Sequence, residues 1–105
     1  MNQNDFVVIL CTAPAQESQK IAKALVEGKF AACVNVFEVK SYFMWEEKFC
    51  DEKEDLLIVK TKKNMINFVI EKIKELHSYE VPEIIALPII EGSDSYLAWI
   101  EANVK

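Results

Sequence analysis

The chain has 105 residues and a mass of 12.1 kDa, a length typical of a single domain. Its formal net charge of -5 comes from 17 acidic and 12 basic residues and disfavours binding to nucleic-acid phosphates. Hydrophobic residues make up 51% of the chain, which is typical of a folded globular protein, and no apolar run approaches the roughly 18 residues that a membrane span needs. We therefore expect one domain over residues 1–105, with neither a nucleic-acid nor a membrane partner.

The three cysteines, Cys11, Cys33 and Cys50, include no CxxC pair. An odd number of cysteines without that spacing predicts neither a disulfide framework nor a zinc knuckle. Free thiols fit a reducing compartment, and the segment before the first apolar run lacks the positive charge of a signal peptide. The sequence therefore predicts a cytoplasmic protein.

Along the first half of the chain, apolar and β-branched residues from Phe6 to Cys11 predict a strand that is buried on both faces. Helical spacing of apolar residues predicts a helix from Gln16 to Glu27, and Gly28 can end it with a left-handed cap. The next strand is predicted from Ala31 to Trp45. Its apolar phase slips by one residue, which predicts a bulge near Val36.

The middle of the chain predicts a hairpin followed by a second helix. The charged stretch from Glu46 to Asp55 contains a turn, and Leu56 to Thr61 returns as an apolar strand. Asn64 is a suitable N-cap for a helix that runs to about Leu76 with one apolar stripe.

The last part of the chain predicts a fourth strand and a third helix. The strand runs from Glu83 to Ile90, and Pro88 within it indicates an edge position or a bulge. Ser93 or Asp94 can cap the terminal helix. The inward-facing residues of that helix are predicted to be Tyr96, Leu97 and Ile100. This order of elements is the split β-α-β pattern of a ferredoxin-like α+β fold, in which the first and third strands are antiparallel neighbours.

One end of the predicted sheet gathers side chains that could bind a metal. The first strand ends there at Cys11, the second helix ends there at His77, and the fourth strand begins there at Glu83. Thiolate and imidazole are ligands for copper or zinc, so Cys11 and His77 are the candidate metal ligands. A strand-end cysteine that only packs, and a helix-end histidine that only complements the helix dipole, are the alternatives.

The other two cysteines are weaker candidates. Cys33 begins the second strand at the opposite end of the sheet, about 20 Å from Cys11 at roughly 3.3 Å per strand residue. Cys50 lies among charged residues and is predicted to be an exposed, incidental thiol. Since no nucleophile motif or glycine-rich loop accompanies the single histidine, we expect no enzyme. An acid–base role for His77 with Glu83 is the alternative.

The predicted hairpin carries more apolar surface than one small domain can cover. Tyr42 to Trp45 are aromatic or apolar on both faces of the strand. Two helices cannot cover both faces of so long a hairpin. We therefore expect its outer half to form a subunit interface, the commoner role of such a cluster.

Short motifs along essentially the whole chain resemble the CutA family of divalent-cation tolerance proteins. They are Cys11-Thr12-Ala13-Pro14, Ala31-Ala32-Cys33-Val34-Asn35, Trp45-Glu46 with Lys48, Lys60-Thr61, His77 with Tyr79, Val81-Pro82-Glu83, and Tyr96-Leu97 with Trp99. The resemblance implies a homotrimer whose hairpins pair edge to edge. It also implies binding of copper or other divalent cations such as zinc, with ligands that match Cys11 and His77, and a role in metal tolerance.

The same family is similar in architecture to the PII signalling proteins. That similarity implies an alternative function, in which a signalling or interaction trimer binds a small anionic metabolite in clefts between subunits, near Lys60, Lys62 or Trp45. A shared architecture supports such a role only by analogy.

Four positions depart from the family pattern. The proline usual after the histidine is Ser78, and a glycine usual in the hairpin turn is Glu47. A tyrosine and a tryptophan usual before the Trp-Glu pair are Phe43 and Met44. We expect a different turn conformation at Glu47, because glycine is the default residue at positive φ.

Overall fold

The computed structural model describes residues 5–105 and has an α+β fold. Its elements are β1 (Phe6–Ala13), α1 (Ala15–Glu27), β2 (Cys33–Trp45), β3 (Lys48–Lys62), a 3-10 turn (Lys63–Met65), α2 (Ile66–Leu76), β4 (Ile84–Pro88) and α3 (Asp94–Asn103). The predicted order of strands and helices, and thus the ferredoxin-like fold class, is confirmed.

The four strands form one antiparallel sheet in the order β2-β3-β1-β4. As predicted, β1 and β3 are neighbours at its centre, paired from Phe6 opposite Lys62 to Ala13 opposite Asp55. β4 pairs only with β1, so Pro88 lies in an edge strand. A proline is tolerated there because the outer side of an edge strand needs no N–H donor.

Helices α1 and α2 cover one face of the sheet, which we call the covered face. Alternate residues of the two central strands lie on it, namely Ile9 and Cys11 of β1 and Leu57 and Val59 of β3, and all four are fully buried. They pack in one core with apolar residues of both helices. The helix residues of this core include Ile21, Leu25, Val69 and Ile73.

The other face of the sheet is covered only at the end where β1 begins and β3 ends. There α3 lies over it, with Glu101 paired to Lys62 at 3.5 Å and Phe6 fully buried. The rest of this face is apolar and partly exposed, with Ile85 and Leu87 of β4 50% and 48% exposed. We call it the open face. Its members, by strand register, are Leu10, Phe37, Leu56, Ile58, Ile85 and Leu87.

The hairpin of β2 and β3 is longer and more regular than predicted. Pairing runs without interruption from Cys33 opposite Lys60 to Trp45 opposite Lys48, so the bulge predicted near Val36 is wrong. The apolar phase changes because the outer hairpin has apolar residues on both faces, not because a residue is inserted. β3 likewise begins at Lys48 rather than at Leu56, because the charged run from Asp51 to Asp55 pairs with β2 as part of the strand.

The hairpin turn consists of Glu46 and Glu47, which have φ angles of 49° and 66°. Two consecutive left-handed residues characterise a type I′ turn, whose twist matches that of the strands. The expected change of turn conformation at Glu47 is therefore wrong. The glutamate adopts the conformation that glycine normally supplies.

Two of the three predicted helix caps are also wrong. Asn64 lies in the 3-10 turn, and α2 begins at Ile66 without a side-chain cap. The left-handed residue after α1 is Lys29, whereas Gly28 has a φ of -79°. A side chain at Gly28 would instead collide with the ring of Phe30, since a Cβ would lie 2.6 Å from it.

The cap of α3 is confirmed, because the hydroxyl of Ser93 accepts a hydrogen bond from the amide of Tyr96. Leu97 and Ile100 are buried as predicted, but Tyr96 is exposed. Its ring stacks on that of Trp99, with centroids 5.6 Å apart.

Candidate functional site

Cys11 lies near the end of β1 on the covered face and is fully buried. Burial, with smaller contributions from the carboxylates of Glu83 and Glu54, raises the pKa of its thiol from 9.0 to about 12. The thiol donates a long hydrogen bond of 3.6 Å to the carbonyl of Thr12. At neutral pH the side chain is therefore a protonated thiol, while metal ligation requires the thiolate.

His77 follows the last residue of α2 and is buried at the same end of the sheet. Its Nε2 lies 2.7 Å from the carbonyl oxygen of Thr12, and its Nδ1 accepts a hydrogen bond of 3.1 Å from the amide of Tyr79. Because a carbonyl oxygen only accepts, these contacts indicate a neutral imidazole with its proton on Nε2. The contact with Thr12 agrees with the prediction that His77 lies near the end of β1 that contains Cys11.

A carboxylate extends this network from α1. Oε1 of Glu17 accepts a hydrogen bond of 3.0 Å from the amide of Ser78 and lies 3.9 Å from Nδ1 of His77. The hydrogen bonds that Ser78 donates hold the pKa of Glu17 below its ordinary value, against the opposing effect of desolvation. Ser78 thus supplies an N–H that a proline at this position would lack.

The donors of Cys11 and His77 do not form an open metal site in this conformation. The thiol is protonated and buried, and both imidazole nitrogens already have hydrogen-bond partners. Within residues 5–105, no group of three or more histidine, cysteine, aspartate or glutamate side chains is arranged to hold a metal ion. A metal bound by both residues would have to displace the thiol proton and one imidazole hydrogen bond. The metal ligation itself stays a prediction.

One side-chain contact beside these residues was not predicted from the sequence. The hydroxyl of Tyr79 donates a hydrogen bond of 2.9 Å to Oε2 of Glu54, a residue that is only 5% exposed. Burial, followed by the bond to Glu54, raises the pKa of Tyr79 to about 12. The ring of Tyr79 also lies 4.7 Å from that of His77. The His-x-Tyr spacing was a signal for this cluster, but nothing in the sequence pairs Tyr79 with Glu54.

A cleft of about 810 Å³ lies between the part of the β2–β3 hairpin nearest its turn, residues 41–54, and the segment that leads into β4. Its walls contain four aromatic residues and four glutamates, which are Tyr42, Phe43, Trp45, Tyr79, Glu52, Glu54, Glu80 and Glu83. Cys50 also lines it and is half-buried rather than exposed, with its thiol 3.7 Å from the carbonyl of Lys48. We call this feature the hairpin cleft.

The remaining predicted residues lie elsewhere. Cys33 pairs with Lys60, which pairs with Val8, three residues before Cys11. That offset is about 10 Å along the sheet and about 10 Å across it, nearer than predicted but too far for a shared ligand. Lys60 and Trp45 lie at opposite ends of the hairpin, so one protomer does not bring them together.

A family model described as CutA1 divalent ion tolerance protein matches residues 7–103. The chain belongs to the CutA1 family. The divalent-cation tolerance protein CutA of Thermus thermophilus is 45% identical over 98 residues, covering 91% of this chain and 95% of the relative. Two chloroplast CutA proteins are longer, and the matches span 56% and 57% of their lengths.

Solved CutA structures have the same fold. The periplasmic divalent cation tolerance protein CutA from Archaeoglobus fulgidus superposes with a TM-score of 0.93 at 42% identity, covering 95% of this chain and 99% of that one. The PII-like protein CutA from Nostoc sp. PCC 7120 gives a TM-score of 0.90 at 29% identity, covering 94% and 97%. Within residues 5–105 no helix is long and apolar enough to cross a membrane.

Proposed function

We propose that this CutA1-family protein is a non-enzymatic, cytoplasmic homotrimer that contributes to tolerance of divalent metal ions by binding copper through Cys11 and His77. Membership of the divalent ion tolerance family supports the role. The observation that carries the proposal is the open face, because it gives a physical reason for assembly.

Assembly is favoured by both the open face and the edge of the sheet. Apolar residues such as Ile85 and Leu87 remain about half exposed in one protomer, and burying apolar surface contributes about 25 cal/mol per Å². β2 is an edge strand of 13 residues, so its outer backbone groups have no partner within the sheet. A second copy can pair with that edge and a third can close the ring, which removes the exposed edges.

Copper is the metal that the donor types favour. Thiolate and imidazole are soft or intermediate ligands, and cuprous copper binds thiolate strongly. Because the thiol of Cys11 has a raised pKa, the metal must compete with a proton. Binding should therefore release a proton and become tighter as the pH rises.

A competition titration with copper(I) under reducing conditions tests the metal role. The variants are Cys11→Ser and His77→Ala, with Cys50→Ser as the matched control because it removes another free thiol. We expect tight binding in the native protein and in Cys50→Ser, and its loss in the other two. Affinity that is unchanged in Cys11→Ser and His77→Ala, or lost only in Cys50→Ser, would contradict the proposal. Native mass spectrometry on the same samples reports whether the protein is trimeric.

The similarity to the PII-like CutA protein of Nostoc favours a second candidate function, a signalling trimer that binds a small anionic ligand between subunits. A thermal-shift screen of nucleotides and organic anions tests this function. A ligand at 100 times its dissociation constant stabilises the folded state by about 2.7 kcal/mol. A screen in which no anion shifts the melting temperature would count against this candidate.

A further inference from the structure

The outer side of α1 and α2, which we call the helix layer, is positively charged in an otherwise acidic chain. Residues 15–31 and 63–76, which form these helices and the adjoining turns, contain six lysines and four glutamates, a net charge of +2. The remaining residues contain six lysines and 13 acidic residues, a net charge of -7. Such a separation of charge steers negatively charged partners to one part of the surface.

Three lysines gather around Phe30, at the end of the helix layer where α1 ends. The ammonium group of Lys72 lies 5.8 Å from the centre of the Phe30 ring, and that of Lys105 lies 4.9 Å from it. The amide of Lys105 donates a hydrogen bond of 3.0 Å to the carbonyl of Lys29, which directly precedes Phe30. The fold therefore brings three lysines that are far apart in the sequence to one place on the surface.

Lys29 occupies a backbone position that usually belongs to glycine. Its φ angle is 62°. Its amide donates to the carbonyl of Val26, and the amide of Phe30 donates to that of Leu25, the pattern in which a left-handed glycine ends many helices. A residue with a side chain is less stable than glycine in this conformation. Strained residues are concentrated at functional sites, so recognition of a partner gives a reason for a lysine here that the stability of the turn does not.

The positive charges of this cluster are only partly neutralised within the protomer. Lys72 pairs with Glu75 at 3.1 Å. Among residues 5–105, neither Lys29 nor Lys105 takes part in an ion pair, and both residues are exposed. Two lysines are therefore available to an anionic partner, which would also relieve the repulsion between neighbouring ammonium groups.

Apolar surface adjoins these lysines. Phe68 precedes Lys72 by four residues, so the two side chains are neighbours on one side of α2. Phe68 is 59% exposed, and Val26 in the last turn of α1 is 40% exposed. The same region thus offers contacts to carboxylates and to apolar side chains. We call it the basic patch, and its members are Lys29, Phe30, Phe68, Lys72 and Lys105.

The surroundings of the basic patch narrow the kind of partner. A nucleic acid or an anionic membrane is an extended polyanion that would continue from the patch over the acidic remainder of the chain, where like charges repel it. A small hydrated anion gains nothing from the exposed ring of Phe68. A short protein segment that has both carboxylates and apolar side chains matches the charge and the hydrophobicity of the patch.

We propose that the basic patch docks a short acidic segment of a partner protein, whose carboxylates pair with Lys29 and Lys105 and whose apolar side chains pack on Phe68. Phe68 and Lys72 belong to α2, on the opposite side of the sheet from the open face. Assembly through the open face therefore leaves the basic patch accessible, and each protomer of a trimer would present one. The proposal depends on neither copper nor the assembly.

Fluorescence polarisation tests the proposal, with a fluorescein-labelled peptide of three Asp-Asp-Leu-Phe repeats as the probe. We expect saturable binding that weakens as salt is added, because surface charges are screened over about 10 Å at 0.1 M ionic strength. Lys29→Gln combined with Lys105→Gln should weaken binding about tenfold, and Phe68→Ser about fivefold. A peptide with glycine in place of leucine and phenylalanine should bind more weakly and should not respond to Phe68→Ser.

The matched control combines Lys20→Gln with Lys74→Gln, which removes the same charge towards the other end of the helix layer. This variant should bind the acidic peptide nearly as the native protein does. Equal weakening in the two double variants, unchanged affinity in Phe68→Ser, or no saturable binding would overturn the proposal. Tighter binding of single-stranded oligothymidylate or of phosphatidylserine vesicles would overturn it in favour of a nucleic acid or a membrane. The copper titration is read from Cys11 and His77, so either proposal can fail without the other.

Discussion

The two faces of the sheet have similar amino acids but different surroundings. On the covered face, Leu57 and Val59 are fully buried beneath α1 and α2. On the open face, their sequence neighbour Ile58 is only partly buried, and Ile85 and Leu87 are about half exposed. Hydrophobicity along the chain does not distinguish the faces, since both are apolar. The difference shows that one face stabilises the protomer and that the other has apolar surface left for association.

The largest expected effect is on the open face. Leu87→Glu places a charge on the surface that the proposed trimer buries. Leaving a charge buried and unpaired costs about 3–5 kcal/mol, in each of the subunits. We expect the variant to be a folded monomer, as measured by light scattering after gel filtration and by circular dichroism.

The matched control is Phe68→Glu, which introduces the same charge at an exposed apolar residue of α2, on the helix layer. This variant should keep the native mass. If Leu87→Glu also keeps the native mass, or if Phe68→Glu dissociates the protein while Leu87→Glu does not, then the open face is not the interface.

A pair of adjacent residues gives a finer comparison. Leu57→Ala removes a fully buried side chain of the covered face and should destabilise the protein by about 2–5 kcal/mol at any protein concentration. Ile58→Ala, one residue along β3, should act mainly through association, so its apparent stability should depend more strongly on protein concentration. Urea unfolding at several concentrations measures both effects. The same concentration dependence for both variants would contradict the assignment of the faces.

The covered face also predicts a dependence on alkaline pH. The pKa of Cys11 is raised from 9.0 to about 12 in the folded protein, so its contribution to stability is complete below pH 9.0 and is lost as the pH rises towards 12. At one pH unit above 9.0, the free energy of unfolding is lower by about 1.4 kcal/mol, because the thiol of the unfolded chain ionises and that of the folded protein does not. Urea unfolding of the native protein and of Cys11→Ala should show a smaller alkaline loss in the variant. Cys50→Ala is the control, and parallel pH profiles for all three proteins would refute the prediction.

Much of the fold could be predicted from the sequence because the pattern of each element is local. Continuous apolar runs located the central strands, Pro88 indicated an edge or a bulge, and Ser93 was one of the two residues predicted to cap α3. The details that failed depend on neighbours in space. The bulge near Val36 was inferred from a phase change that the uncovered hairpin explains instead.

The candidate site could be predicted only in part. The topology was enough to bring His77 beside the end of the Cys11 strand, because both elements end at the same edge of the sheet. It could not show that both imidazole nitrogens are engaged, or that Tyr79 reaches Glu54 across 25 positions of sequence. These contacts depend on side-chain directions in the segment after α2, where no periodic pattern constrains them.

The smallest expected effect concerns the turn that sets the register of the hairpin. Glu47 has a φ of 66°, a conformation that costs a residue with a side chain about 1–2 kcal/mol and glycine almost nothing. The greater chain entropy of unfolded glycine offsets part of the gain, so Glu47→Gly should stabilise the protein by about 0.5–1 kcal/mol in urea unfolding. Lys53→Gly, within β3 and with a negative φ, should destabilise it. Because a one-residue slip would exchange the two faces of the hairpin, a turn that favours this register also fixes which residues line the hairpin cleft. A Glu47→Gly protein that is less stable than the native one would mean that the turn is not the left-handed pair described for Glu46 and Glu47.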